Sequence, residues 1–228
     1  MTFLAKISFV ALLSIPLFSC GGGVAIEDEA ATIYLVRHGQ TQANVDDVLA
    51  GSLMDSPLTE AGIESAKKLG QTLKDISFSS AYCSNLDRTY YTAKHVLEQG
   101  ASDVTIRRMT GLNDVSYGEA TGMGGAEAAE QFGSTAFPDA FGPVDDPDFV
   151  PTFHGENTYS WFHRFDNAIK EIAENNAGKT TLVVSHGACF LWGRLTFHQD
   201  DLGFLNGHYC ELKYHSGSWK MVSWNKEA

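Results

Sequence analysis

From Thr32 onward, short β-rich apolar runs alternate with longer segments whose apolar positions recur at helical spacing. Ile33-Tyr34-Leu35-Val36 is a continuous apolar run of the kind a buried strand uses. Between Thr59 and Asp75, Ile63, Ala66, Leu69, Leu73 and Ile76 share one face, which predicts an amphipathic helix with Thr59 as its N-cap. Phe78 to Cys83 predicts a second strand, Leu86 to Gln99 a second helix ended by Gly100, and Val104 to Met109 a third strand. From Thr158, the positions Trp161, Phe162, Phe165, Ile169, Ile172 and Ala173 mark another helix, and their spacing assigns these aromatics to the core rather than to substrate stacking. Thr181 to Ser185 predicts a strand, Ala188 to Phe197 a helix, and Tyr209 to Tyr214 with Trp219 to Trp224 a terminal antiparallel pair. Strands alternating with helices predict an α/β domain around a largely parallel sheet.

Two stretches break the pattern. Between Gly111 and Asn157 the chain is rich in glycine, proline and acidic residues, with at most a short helix near Ala126 to Phe132. A long irregular segment inside a domain predicts a lid or substrate-recognition insertion at about 111–157. At the other stretch, Lys6 precedes the apolar run Ile7 to Phe18, too short to span a bilayer as a helix and of the length of a signal-peptide core. The run ends in Leu17-Phe18-Ser19-Cys20-Gly21-Gly22-Gly23, which resembles the lipobox of bacterial lipoproteins. That resemblance implies a leader over 1–19, a lipid on Cys20, a flexible tether over 20–31 and a domain over 32–228. The protein is then expected in the bacterial cell envelope, anchored to a membrane and facing away from the cytoplasm.

Composition narrows the classes of function. With 43% hydrophobic and 19% charged residues the chain has the means to bury a core, so disorder is excluded. A net charge of −12 without any basic stripe argues against a nucleic-acid partner, and an anionic substrate must be held by a few local arginines. Cys83, Cys189 and Cys210 sit at no metal-ligand spacing and read as small buried apolar residues, although an exported protein could also pair two of them. His95, His154, His163, His198, His208 and His215 show no paired ligand spacing, and the acidic run Asp145 to Asp148 lacks the loop pattern of a calcium site. Neither a metal nor another cofactor is therefore expected.

The candidate chemistry lies at two strand ends with one layout, Arg37-His38-Gly39 and Ser185-His186-Gly187. Ligands of open α/β sheets bind outside the carboxyl ends of the strands, and a glycine there lets the backbone turn sharply against a ligand. The run Leu35-Val36-Arg37-His38-Gly39-Gln40-Thr41-Gln42-Ala43-Asn44 resembles the opening signature of the histidine phosphatase (phosphoglycerate mutase-like) superfamily. Further blocks resemble that family in order: Asp55-Ser56-Pro57-Leu58-Thr59 with Gly62, Ser84-Asn85-Leu86-Asp87-Arg88-Thr89 with Thr92-Ala93, Leu112-Asn113-Asp114 with Tyr117-Gly118, Gly155-Glu156, and Val183-Val184-Ser185-His186-Gly187. The resemblance implies a three-layer α/β/α sandwich with a mostly parallel mixed sheet, and a metal-independent phosphatase acting on a small phosphorylated substrate.

It also implies roles. Arg37 and Arg88 offer planar forks to phosphate oxygens, and their fixed charge favours the neutral imidazole of His38, the implied nucleophile that forms a phosphohistidine. His186 and Asn44 are expected to donate to the phosphate. Asp114 is the candidate general acid and base; many family members carry Glu in this block, and Glu119 is the alternative. Two other readings stay open: a phosphoglycerate mutase, which shares the pocket, and a catalytically inactive lipid-anchored binding module.

Overall fold

The apolar runs pair into one six-stranded sheet. In the computed structural model, which describes residues 29–100, 102–135 and 139–227, the strands are β1 (Ala31–Arg37), β2 (Ser80–Cys83), β3 (Ile106–Arg108), β4 (Thr180–Ser185), β5 (Tyr209–His215) and β6 (Ser218–Lys226). They lie in the order β3-β2-β4-β1-β5-β6, with β3, β2, β4 and β1 mutually parallel, β5 antiparallel to β1 and β6 antiparallel to β5. The expected leader, Cys20 and the tether as far as residue 28 lie outside the described residues. β1 opens at Ala31, one residue ahead of the expected domain start.

Among the described residues six α-helices accompany the sheet: α1 (Gln42–Val45), α2 (Glu60–Thr72), α3 (Asp87–Leu97), α4 (Gly125–Phe132), α5 (Thr158–Glu174) and α6 (Cys189–Phe197). Because side chains alternate along a strand, β1 and β4 each feed two cores. Ile33, Leu35 and Val183 pack with Trp161, Phe165, Ile169 and Trp192 of α5 and α6 on one face. Val36, Leu182 and Val184 pack with Ala66 and Leu69 of α2 and Ala93 and Val96 of α3 on the other. The result is the expected three-layer arrangement. Cys83, Cys189 and Cys210 are buried and free, so no disulfide staples these layers among the described residues.

Element boundaries differ from expectation where local polar partners replace the ladder. The second strand starts at Ser80 rather than Phe78, because the Phe78 N–H donates to Ser102 Oγ at 3.0 Å instead of to a neighbouring strand. The third shortens to Ile106–Arg108 at the sheet edge. α1 has four residues, fewer than a helical period needs to show itself in sequence.

The 111–157 insertion is built into the core rather than laid over it as a detached lid. It contains α4 and single 3₁₀ turns, among them Gly118–Ala120 and Asp139–Phe141. Phe141 and Phe153 are fully buried with ring centroids 4.9 Å apart, and Tyr117 stands edge-on to Phe141 at 5.4 Å. Asn157 closes the segment: its amide nitrogen donates to the carbonyls of Pro147 and Phe149, and its oxygen caps α5 by accepting from Ser160 N at 2.8 Å.

Candidate active site

The register of β1 and β4 brings the two histidine motifs together. Arg37 stands opposite Ser185, so the chains leave the sheet side by side, and the His38 N–H donates to the Ser185 carbonyl at 3.0 Å. The imidazole centroids of His38 and His186 are 5.2 Å apart, and both rings are buried. The loop after His38 runs against the first turn of α2: a Cβ on Gly39 would lie 2.5 Å from the Gly62 carbonyl oxygen, and one on Gly62 would lie 2.1 Å from that of Gln40. Only glycine at both positions permits this approach. The Gly39 N–H is tied to α3 through Thr92 Oγ1 at 3.0 Å.

His38 has a defined tautomer. Its Nδ1 lies 2.7 Å from the Gly39 carbonyl oxygen, which can only accept, so Nδ1 carries the hydrogen and Nε2 presents a lone pair. Burial, reinforced by the charges of Arg88 and Arg37, holds the pKa of His38 well below its ordinary value. The ring is held toward its neutral form, with its lone pair on Nε2.

Arg88 enters from the first turn of α3 and is fastened on every side. It donates to the carbonyls of Gly51 at 2.7 Å and Met54 at 2.9 Å, and it pairs with Asp55 at 3.3 Å and Asp114 at 3.4 Å. Arg37 donates to the Phe204 carbonyl at 2.6 Å, its Nε is buried without a hydrogen-bond partner among the described residues, and burial lowers its pKa. Buried donors are normally paired, so this N–H beside the cavity has hydrogen-bonding capacity to spare.

Asp114 reaches the same place from the insertion. Its loop is clamped by Arg164 of α5, which donates to the carbonyls of Gly111, Asn113 and Asp114 at 3.1, 2.7 and 2.6 Å while Glu156 holds the same guanidinium through two 2.7 Å contacts. Burial raises the pKa of the Asp114 carboxyl, against the opposing pull of Arg88, the Val115 N–H, Arg37 and Arg164. Its Oδ2 is 3.7 Å from His186 Nδ1.

Arg37, His38, Asn44, Arg88 and Asp114 line one cavity of about 420 Å³, with His186 buried behind Asp114 rather than on the wall. The Asn44 oxygen accepts from Thr41 N, Thr41 Oγ1 and Asn206 Nδ2, which leaves its amino group as the end able to serve an anion. Glu119 is not brought to the cavity. It is solvent-exposed and pairs with His154 at 3.0 Å, so the alternative general acid loses its geometric basis. Three contributors escaped the sequence reading. Asp47 sits in the cavity wall, Tyr117 closes the wall with a phenol whose pKa burial pushes up, and Ser84 touches His186 Nε2 at 2.8 Å. Ser84 and Tyr117 stand inside blocks that resemble the family, but only the fold shows what each of them meets.

The pattern of one family of proteins matches residues 33–227: the histidine phosphatase superfamily, branch 1. The chain belongs to the histidine phosphatase superfamily. Its members are phosphatases and mutases that use a histidine nucleophile. Over 158 residues the chain is 32% identical to the adenosylcobalamin/alpha-ribazole phosphatase of Escherichia coli K12, covering 68% of this chain and 72% of that protein. Over 105 residues it is 38% identical to the 2,3-bisphosphoglycerate-dependent phosphoglycerate mutase of Bartonella tribocorum, a match that spans 45% of this chain and 50% of the mutase. The chain thus spans about half the length of the phosphoglycerate mutases it matches. Among solved structures, the phosphoglycerate mutase of Bacillus anthracis superposes with a TM-score of 0.74 at 27% identity, over 88% of this chain and 95% of that one.

Proposed function

We propose that this superfamily member hydrolyses a phosphate monoester through a phosphohistidine on His38, without a metal ion. The observation that carries the proposal is the convergence on one cavity of a neutral His38 with a bare Nε2, two guanidinium groups and a partly buried carboxyl group whose pKa is raised. Phosphoryl transfer asks mainly for positioning and for charge around the equatorial oxygens, which Arg37 and Arg88 supply. The His38 Nε2 lone pair attacks phosphorus as the bond to the leaving oxygen breaks, and that oxygen takes the proton of Asp114. Water then attacks the phosphohistidine, Asp114 accepts its proton, and the electrons of the P–N bond return to Nε2.

Hydrolysis is favoured over mutase action by the wall beyond the two arginines. Among the described residues lining the cavity the only cations are Arg37 and Arg88, and the rim adds Asp47 together with apolar Val48, Leu49 and Phe190. Arg194 stacks on the Phe190 ring at 4.8 Å but donates to the Leu202 carbonyl outside the lining. A phosphoglycerate held by its carboxylate while its phosphoryl group moves needs a further cation there. The test is a panel of phosphate monoesters and 3-phosphoglycerate in excess chelator. The proposal expects phosphate released into water at a rate the chelator does not change. Recovery of the phosphoryl group on the other hydroxyl of the glycerate would establish the mutase, and metal-restored activity would remove the metal-free mechanism. An inactive binding module would release nothing and acquire no label on His38.

We also propose that Cys20 carries a lipid anchor that holds the domain at a bacterial membrane, on the strength of the apolar run and the Leu17 to Cys20 block. Membrane partitioning and precursor processing unchanged in Cys20→Ser would remove the anchor.

A further inference from the structure

His186 is buried, and its Nδ1 has no hydrogen-bond partner among the described residues although it faces the Asp114 carboxyl at 3.7 Å. What this nitrogen can do depends on which ring nitrogen carries the hydrogen, and the hydroxyl chain on the other side of the ring decides that. Thr89 Oγ1 has one hydrogen, and its shortest contact is the Leu86 carbonyl oxygen at 2.7 Å. Between Thr89 and Ser84, whose hydroxyl oxygens are 2.8 Å apart, Ser84 must then be the donor. The Ser84 oxygen accepts from Leu86 N at 3.2 Å, and with its only hydrogen spent on Thr89 it can only accept from His186 Nε2 at 2.8 Å. A second argument agrees. A buried nitrogen without a partner is cheaper as a bare acceptor than as an orphaned N–H.

We propose that Ser84 is a positioning residue that keeps the His186 proton on Nε2, leaving Nδ1 bare toward Asp114, so that the site takes up a proton together with a phosphoryl dianion. This rests on the reading of the cavity as a phosphoryl site. His186 is off the cavity wall, so it acts on a bound dianion by charge: a neutral ring offers none, whereas an imidazolium 3.7 Å from the Asp114 carboxyl attracts it. The groups facing the ring are Arg37 and His38 at the end of β1, Arg88 of α3, Asp114 of the insertion, Arg164 of α5 and the Cys189 thiol of α6. The guanidinium groups oppose an imidazolium in the empty site. A bound dianion reverses the balance, and the proton comes from solvent while Asp114 keeps its own for the leaving oxygen.

The tautomer is read in the free protein from the imidazole nitrogen resonances of His186, and the proton count from calorimetry of benzylphosphonate binding in buffers of different ionisation heat. Benzylphosphonate is a carbon-linked monoester mimic whose dianion has no proton to give. The expected result is an Nε2–H tautomer in the wild type and uptake of about one proton per dianion bound. Thr89→Val, which nearly preserves side-chain shape, frees the Ser84 hydrogen for Nε2. It should move the ring toward Nδ1–H and cut the uptake well below one, as should Ser84→Ala, while Thr89→Ser restores both. A purely structural role for these hydroxyls would leave the tautomer unchanged. An Nδ1–H ring in the wild type overturns the Ser84 relay. Binding without uptake overturns the proton coupling, and failure of any dianion to bind overturns the phosphoryl-site reading itself.

Discussion

His38 and Asp114 line one cavity, yet their pKa values are pushed in opposite directions, the imidazole toward its neutral form and the carboxyl toward its protonated form. Each shift is in the direction the proposed chemistry needs. A nucleophile and an acid should fail differently when removed. In Asp114→Asn, phosphorylation of His38 by an alkyl phosphate should slow on the order of 10²- to 10⁴-fold, the contribution of a positioned proton donor, while an aryl phosphate with a good leaving group loses far less. Single-turnover kinetics on both substrates reads this, and equal losses would take the acid role from Asp114. The pH profile carries the same assignment. Activity should persist below the ordinary imidazole range, because His38 stays neutral there, and should fall on the alkaline side as Asp114 loses its proton. Legibility at this scale followed contiguity. Arg37, His38, Arg88 and His186 each lie in a short block whose neighbours identify them. Asp114 is the sequence's candidate and Glu119 its alternative; what separates them is the Arg164 clamp on the Asp114 loop and the exposed pairing of Glu119 with His154. Tyr117 lies in a block that resembles the family but says nothing of its place in the wall, and Asp47 carries no local signal at all, since its role is a distance to residues far along the chain.

The elements that aim these side chains are short and depend on close backbone approach. The strand after which His38 turns is held by its parallel partner, and the turn itself is pressed on α2 through Gly39 and Gly62. Gly62→Ala should push the Gln40 carbonyl away and displace His38 with it. The expected outcome is a loss in kcat of at least about tenfold, with destabilisation of about 1–3 kcal/mol from the overpacked contact. Steady-state kinetics and denaturant unfolding check this, and full activity in the folded variant would show that the loop tolerates the shift. Helices with strong apolar faces were readable from sequence, as the Thr59 cap bonded to Gly62 N at 3.0 Å and the buried stripe of α5 show. The insertion was readable only as irregular. Its aromatic anchors Phe141 and Phe153 have no period, and their burial depends on a partner surface that no local pattern describes.

Over the whole molecule, the site's electrostatics should be visible in stability. His38 and His186 are held neutral in the folded state, with pKa values below the ordinary 6.5, whereas the unfolded chain titrates them normally. As pH falls below that value the unfolded state binds protons the folded state refuses, so stability falls. Each imidazole contributes a slope of up to about 1.4 kcal/mol per pH unit. Asp114 acts in the opposite sense, since its raised pKa favours the folded state only while it is protonated. Denaturant unfolding of His38→Asn between about pH 4.5 and 6.5 should show a shallower rise of stability with pH than the wild type, and an unchanged slope would contradict the buried neutral imidazole. The central claim, that a phosphoryl group passes through His38, is met most directly by trapping it. Turnover of a radiolabelled aryl phosphate, quenched in alkali and mapped by peptide, should place an acid-labile, alkali-stable label on His38, with none in His38→Ala. Turnover without any such label in the wild type, or a label that survives in His38→Ala, would contradict it.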